Sequence, residues 1–199
     1  MNKQKEHFNI DKKFFICSYG GSGSKLLSGY LGHFGKTFHI HSRKPPNNLC
    51  LPNGEHFCLK KIIPNEDLKN CKFIFIYRDP IKSIHSRFTN PAHLKNIECD
   101  NKITIQEVID KQKDLYGIGE FIDNYTTPFE KNYEIICIKY DSLFNEIEKI
   151  NEILEIPNVK ELLPKKYEKT KEFPYYNQLL PIYQNIIQKI NSFQSIFII

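Results

Sequence analysis

The stretch "KFFICSYGGSGSKLLSGYLGHF", residues 13–34, decides how this chain is read. Its first part is continuously apolar, as in a parallel strand covered on both faces. Its last part sets Leu26, Leu27, Tyr30, Leu31 and Phe34 at helical spacing. Between them stand Gly20, Gly21 and Gly23, so the pattern predicts a strand, a tight turn and a helix. In "YGGSGSK" the glycines let successive backbone N–H groups converge, and a helix starting near Ser22 turns its positive end to the same point. A phosphate there would meet both, with Ser22, Ser24 and Lys25 adding donors. The bare alternative is a tight corner. The strict nucleotide-triphosphatase pattern has Gly directly before Lys, whereas Ser24 precedes Lys25 here.

A second unit of the same kind lies further on. "CKFIFIY" (71–77) is another buried strand, stopped by Arg78-Asp79-Pro80 and followed by helical "IKSIHSRF". Asp79 suits the cap of that helix and Pro80 its first position. Arg78 leaves the strand where a guanidinium can grip a phosphate bidentately, and Ser86 follows about two turns along. Two phosphate-type sites on two such units imply a ligand with two separated phosphates.

Around these units, "KTFHI" (36–40), "FCLKKI" (57–62) and "YEIICIKY" (133–140) read as strands, and 42–55 as a Pro- and Asn-Gly-broken loop. Residues 89–103 read as an exposed excursion and 104–125 as one helix, with Ile105, Val108, Ile109, Gln112, Leu115 and Tyr116 on one face. Asp141 is expected to cap a helix over 142–156, 158–178 to be polar and irregular, and 179–193 to form a last amphipathic helix. Residues 1–12 are expected to be a mobile tail and 13–199 a single domain. Apolar strands alternating with helices predict an α/β domain with a mainly parallel central sheet flanked by helices, whose post-strand loops share one edge. Such sheets bind ligands at that edge.

Composition narrows the function. The 199 residues are 40% hydrophobic, with 15 Phe and 11 Tyr, enough for one sizeable core. A net charge of +5, from 28 basic and 23 acidic residues spread along the chain, argues against a nucleic-acid partner and fits a local anion pocket. No run reaches the roughly 18 to 20 apolar residues of a membrane span, and the opening "MNKQKEHFNIDKK" lacks an apolar signal region, so a cytoplasmic protein is expected. The six cysteines include no Cys-x-x-Cys pair and are expected to be reduced, Cys17 and Cys137 as small core residues. A zinc site needs close ligand pairs; His39 and His41, alternate residues on one strand face, are such a pair, and no metal is expected.

The two units together resemble the sulfotransferase superfamily, whose members use 3'-phosphoadenosine 5'-phosphosulfate. The first family signature, a strand leading into Tyr-Pro-Lys-Ser-Gly-Thr-Thr, resembles "YGGSGSK" at 19–25. The second, a strand followed by Arg-Asn/Asp-Pro with Ser eight residues after the Arg, is matched by "FIFIYRDPIKSIHS" at 73–86. "KYDSLF" at 139–144 is similar to the family's Tyr-Glu-Asp-Leu element, so the likeness covers roughly residues 13–155.

The resemblance implies a three-layer P-loop-like fold. It further implies donor binding by Gly20, Gly21, Ser22, Gly23, Ser24 and Lys25 at the 5'-phosphosulfate, and by Arg78 and Ser86 at the 3'-phosphate. The acceptor would be a hydroxyl or amine on a small molecule or glycan, with no metal. The Lys of the family's first loop aligns with Gly21, so Lys25 is expected to take its place. In the family's cytosolic branch a Lys-Thr-His-Leu-Pro segment supplies the base; it aligns with "KKIIP" (60–64), keeping Lys60 but placing Ile62 at the histidine. Lys25 and Lys60 are thus the expected catalytic cations, while His39, His41, Glu55 and His56 stand unranked as candidate bases. Two alternatives remain. One is a kinase-like phosphotransferase with Lys25 on the β and γ phosphates, Ser24 near Mg²⁺ and Asp79 as the acidic metal partner. The other is a nucleotide-binding protein without chemistry. Acceptor choice would lie in loops 42–57 and 88–103.

Overall fold

The computed structural model describes residues 11–166 and 173–199. Most of the expected tail, residues 1–10, and part of the polar stretch, 167–172, lie outside the described residues. Strand β1 (Lys13–Cys17) leads to helix α1 (Ser24–Leu31) and β2 (Lys36–Ile40). A hairpin of β3 (Cys50–Asn53) and β4 (His56–Ile62) follows, then β5 (Cys71–Tyr77), α2 (Pro80–Ser83) and a π-helical turn, Ile84–Phe88. The chain continues through α3 (Ile105–Lys111), α4 (Ile118–Thr126), β6 (Ile135–Lys139), α5 (Ser142–Asn145), α6 (Ile147–Ile153), α7 (Tyr176–Ser192) and β7 (Ile196–Ile198).

The apolar runs of β1, β5 and β6 divide by parity, because successive side chains of a strand point to opposite faces. Phe15, Cys17, Phe73, Phe75, Tyr77, Ile135 and Cys137 pack on one side with α4 and α7. Phe14, Ile16, Ile74, Ile76, Ile136 and Ile138 pack on the other with α1, α5 and α6. The result is the expected three-layer α/β arrangement. The sheet order is β2-β1-β5-β6-β7, parallel throughout except for β7, which runs antiparallel to β6. The chain moves one way from β1 to β2 and then crosses back to β5 on the other side of β1. The loops after β1 and β5 therefore part at a switch point, where sheets of this order hold ligands.

Several expectations are corrected. The loop over 42–55 contains β3, which pairs with β4 across a turn at Gly54 and Glu55, outside the main sheet. The excursion 89–103 contains a 3-10 helix over Pro91–Ile97, with Leu94 and Ile97 fully or almost fully buried. The single helix expected over 104–125 is two. Gln112 ends α3 with left-handed backbone, the Asp114 carboxylate accepts the Gly119 N–H at 2.8 Å, and Arg43 donates to the carbonyls of Ile97, Tyr116 and Gly117. Partners far along the chain thus satisfy groups that a continuous helix would have satisfied internally. Asp141 does not cap a helix: its backbone is already helical, and its carboxylate pairs with Lys166 at 3.1 Å. Finally, the chain goes beyond the last helix to add β7 as an edge strand. The six cysteines are all free. No helix among the described residues is long and apolar enough to cross a membrane.

Candidate functional site

A cleft of ≈ 830 Å³ opens at the switch point, lined by the loop after β1, the start of the segment after β5, the end of β2 and the segment after β6. The loop takes its shape from two glycines above all. Gly21 has φ +68, and a Cβ there would lie 2.7 Å from the Ser83 carbonyl oxygen and 2.9 Å from its Cα. Gly23 has φ +84, and a Cβ there would overlap the Tyr140 ring. Glycine alone tolerates both this backbone and this proximity. Below the loop, fully buried Ser22 donates its hydroxyl to the Gly20 carbonyl at 3.2 Å and lies 3.4 Å from the Ser83 hydroxyl. Its side chain builds the loop from beneath and does not line the cleft.

Arg78 is tied to this loop from across the switch point. The buried Tyr19 hydroxyl receives the Arg78 N–H at 3.0 Å and donates to the Arg78 carbonyl. The guanidinium donates to the Gly21 carbonyl at 3.3 Å and stacks 4.7 Å above the centre of the Tyr140 ring. Its Nε is buried and has no hydrogen-bond partner among the described residues. Asp79 does cap α2, accepting the Lys82 N–H at 3.0 Å, with Pro80 at the first helical position. The helix then widens into the π-helical turn, whose i→i+5 geometry brings Arg87 round toward the face of Lys82. Lys82, His85, Ser86 and Arg87 all line the cleft.

The opposite wall carries the histidines. Ser18 donates to Ser24 at 2.9 Å, the Ser24 hydroxyl lies 2.8 Å from His39 Nε2, and His39 Nδ1 lies 3.8 Å from the Glu55 carboxylate. His41 Nδ1 lies 2.6 Å from the Ser18 carbonyl. A carbonyl only accepts, so Nδ1 carries the proton and Nε2 the lone pair. The hairpin is clamped beside it, since the His41 N–H donates to the Glu55 carbonyl at 2.7 Å and the Phe57 N–H to the Ser42 hydroxyl at 3.0 Å. Burial, followed by the neighbouring His41, pulls the His39 pKa down to about 4, and burial likewise lowers that of His41. Both imidazoles are neutral at pH 7.

The fold thus brings together Gly20, Gly21, Gly23, Ser24, Lys25, Arg78 and Ser86, with Ser22 beneath them. It does not bring Lys60. That residue is exposed on β4, outside the residues that line the cleft. The "KKIIP" segment lies in the hairpin, and it is the end of β2, neighbour of β1, that delivers histidines to the site. His56 also lies outside the lining, 3.5 Å from Glu98. Asp79, needed as a metal partner by the kinase-like alternative, is occupied as a cap and is not part of the lining. Residues that sequence reasoning had not assigned to the site include Tyr140, Arg87, Lys82, His85 and Lys166. Only the Tyr in "KYDSLF" had left a signal.

A family model described as the sulfotransferase domain matches residues 51–193, more than half of the chain. The matched span holds Arg78, Ser86 and Tyr140 and begins after the glycine loop. No curated protein matches the chain.

Proposed function

Because the chain belongs to the sulfotransferase family, we propose that it transfers a sulfuryl group from 3'-phosphoadenosine 5'-phosphosulfate to a hydroxyl or amine of a small-molecule or glycan acceptor. One observation carries this reading: the glycine loop and the Arg78–Ser86 pair, each suited to an anion, meet in one cleft at the switch point of the sheet. The residues present suit such a donor. The glycine loop, with the start of α1 behind it, suits an anion, and Lys25 adds a cation for the 5'-phosphosulfate. Arg78, held in place through Tyr19 and Tyr140, and Ser86 suit the 3'-phosphate.

Transfer also requires a proton acceptor near the acceptor's hydroxyl or amine. His41 fits that role: it is neutral, its tautomer is set by the Ser18 carbonyl, and its Nε2 has no hydrogen-bond partner among the described residues. Its lowered pKa makes it a weak base in the empty cleft. The negative charge of the donor would favour the protonated ring and raise that pKa. The remaining work is stabilisation of charge by groups already in place, for which loop N–H groups and cleft cations are suited.

A thermal scan tests the reading. At a hundredfold excess over its dissociation constant, 3',5'-adenosine bisphosphate adds about 2.7 kcal/mol of stability, an easily resolved rise in Tm. ATP with Mg²⁺ should raise Tm less. The reverse ranking would overturn the proposed donor.

A further inference from the structure

We propose that Arg87 is a catalytic residue that supplies, from the π-helical turn, the cation beside the transferring sulfuryl group that the glycine loop has no room to carry. The inference rests on the donor reading above.

At position 21 the loop admits no side chain. A Cβ would press on the backbone of Ser83, which is fixed in α2 and cannot swing aside as a flexible side chain would. A cation for the middle of the cleft must therefore come from another element. Arg87 arrives from across the switch point, with its Cγ 3.4 Å from the place a Cβ on Gly20 would occupy. Its stem thus lies over the loop. Arg87 lines the same cleft as His39 and His41, whose imidazole pKa values are lowered chiefly by burial and further by its charge.

The three arginines of the chain differ in what they hold. Arg43 is spent on three backbone carbonyls and Glu120, and Arg78 on the Gly21 carbonyl and the Tyr140 ring. Arg87 is half-buried and lines the cleft, and its guanidinium has no ion pair or hydrogen bond among the described residues. A partly desolvated cation without a counterion raises the local potential and favours an anion beside it. The backbone explains why it points there. In a regular α-helix residues five apart face about 140° away from one another, whereas the i→i+5 turn brings Arg87 toward the face of Lys82, and both line the cleft.

In the transfer step the acceptor oxygen or nitrogen forms a bond to sulfur as the bond from sulfur to the bridging oxygen of the 5'-phosphate breaks. The acceptor's proton passes to His41 Nε2, and the electron pair leaves on the bisphosphate. Arg87 compensates the charge on the sulfuryl and bridging oxygens while both bonds are partial. Lys25, exposed on the first turn of α1, neutralises the 5'-phosphate.

The test compares the unsubstituted protein with Arg87→Gln and Arg87→Lys, using two titrations and one rate. Calorimetry gives the affinities for 3'-phosphoadenosine 5'-phosphosulfate and for 3',5'-adenosine bisphosphate, which lacks the sulfuryl group. Hydrolysis of the donor, with water as acceptor, gives kcat and KM without an identified acceptor. Arg87→Gln should weaken the phosphosulfate about tenfold and the bisphosphate by less than about twofold. It should lower kcat about 100-fold with a smaller change in KM, and Arg87→Lys should recover part of each loss. An unliganded Tm equal to that of the unsubstituted protein shows that the fold is kept. Equal weakening of both ligands, or unchanged affinity and kcat, overturns the role of Arg87. If the unsubstituted protein binds neither nucleotide, the donor reading itself fails; binding of both with an indifferent Arg87→Gln removes the Arg87 assignment alone.

Discussion

Replacing Arg78 by alanine should separate the two ends of the donor. The guanidinium is positioned before any ligand arrives, by its bond to the Gly21 carbonyl, by the Tyr140 ring beneath it and by the grip of Tyr19 on its backbone. Little ordering entropy is left to oppose binding, so most of the charge-assisted interaction with a phosphate should appear as affinity. Such bonds contribute about 1.5 to 3 kcal/mol, and a bidentate contact sits in the upper part of that range. A loss of about 2 to 3 kcal/mol corresponds to roughly 30- to 150-fold weaker binding of 3',5'-adenosine bisphosphate. Adenosine 5'-phosphosulfate, which has no 3'-phosphate, is the control and should lose less than about threefold. Isothermal titration of both ligands against both proteins gives the four constants, and the unliganded Tm checks that the loop survives. Equal losses for the two ligands would refute the assignment of Arg78 to the 3'-phosphate.

Two further outcomes follow from the same geometry. Gly21→Ala should lower Tm by several degrees and weaken both nucleotides, because about 1 to 2 kcal/mol of left-handed backbone strain adds to the collision with Ser83; an unchanged Tm in calorimetry would show that the loop packs on α2 less tightly than described. Stability should fall as pH drops from about 6.5 to about 4, since the unfolded chain binds a proton at His39 that the folded chain refuses until about pH 4. His39 accounts for about 3 kcal/mol of that loss at most. Denaturant titrations at pH 7 and pH 4.5 should show a smaller difference in His39→Gln than in the unsubstituted protein, and an equal difference would remove His39 as its source.

The glycine loop and the Arg78 side of the cleft were legible in the chain, because they depend on neighbours in sequence. Three glycines at the mouth of a strand, and an Arg followed eight residues later by Ser, are local patterns whose geometry a strand and a helix start impose directly. The same holds for Asp79 and Pro80, a cap and a first helical residue within one turn of each other. The long apolar runs of β1, β5 and β6 marked buried parallel strands, though not which residues face which layer, since both faces are apolar and no alternation shows.

The histidine wall of the cleft was not legible. Nothing in "KTFHIHSR" ranks His39 or His41 above His56. What distinguishes them is that β2 pairs with β1, so its end lies beside the glycine loop, and that a hairpin turn sets Glu55 against the pair. Lys60 looked favourable by alignment but sits on a hairpin outside the main sheet, on a stretch of β4 that is exposed on both faces. The break between α3 and α4 was equally hidden, because Arg43, some seventy residues earlier in the chain, supplies the donors that end the helical pattern. Nothing in "IKSIHSRF" marks Arg87, which lines the cleft from the π-helical turn. By itself the sequence determined the elements whose backbone is decided by residues a few positions apart; strand pairing, helix termination by distant side chains and the facing of the histidines and Arg87 depend on contacts between remote segments, which only the folded chain makes.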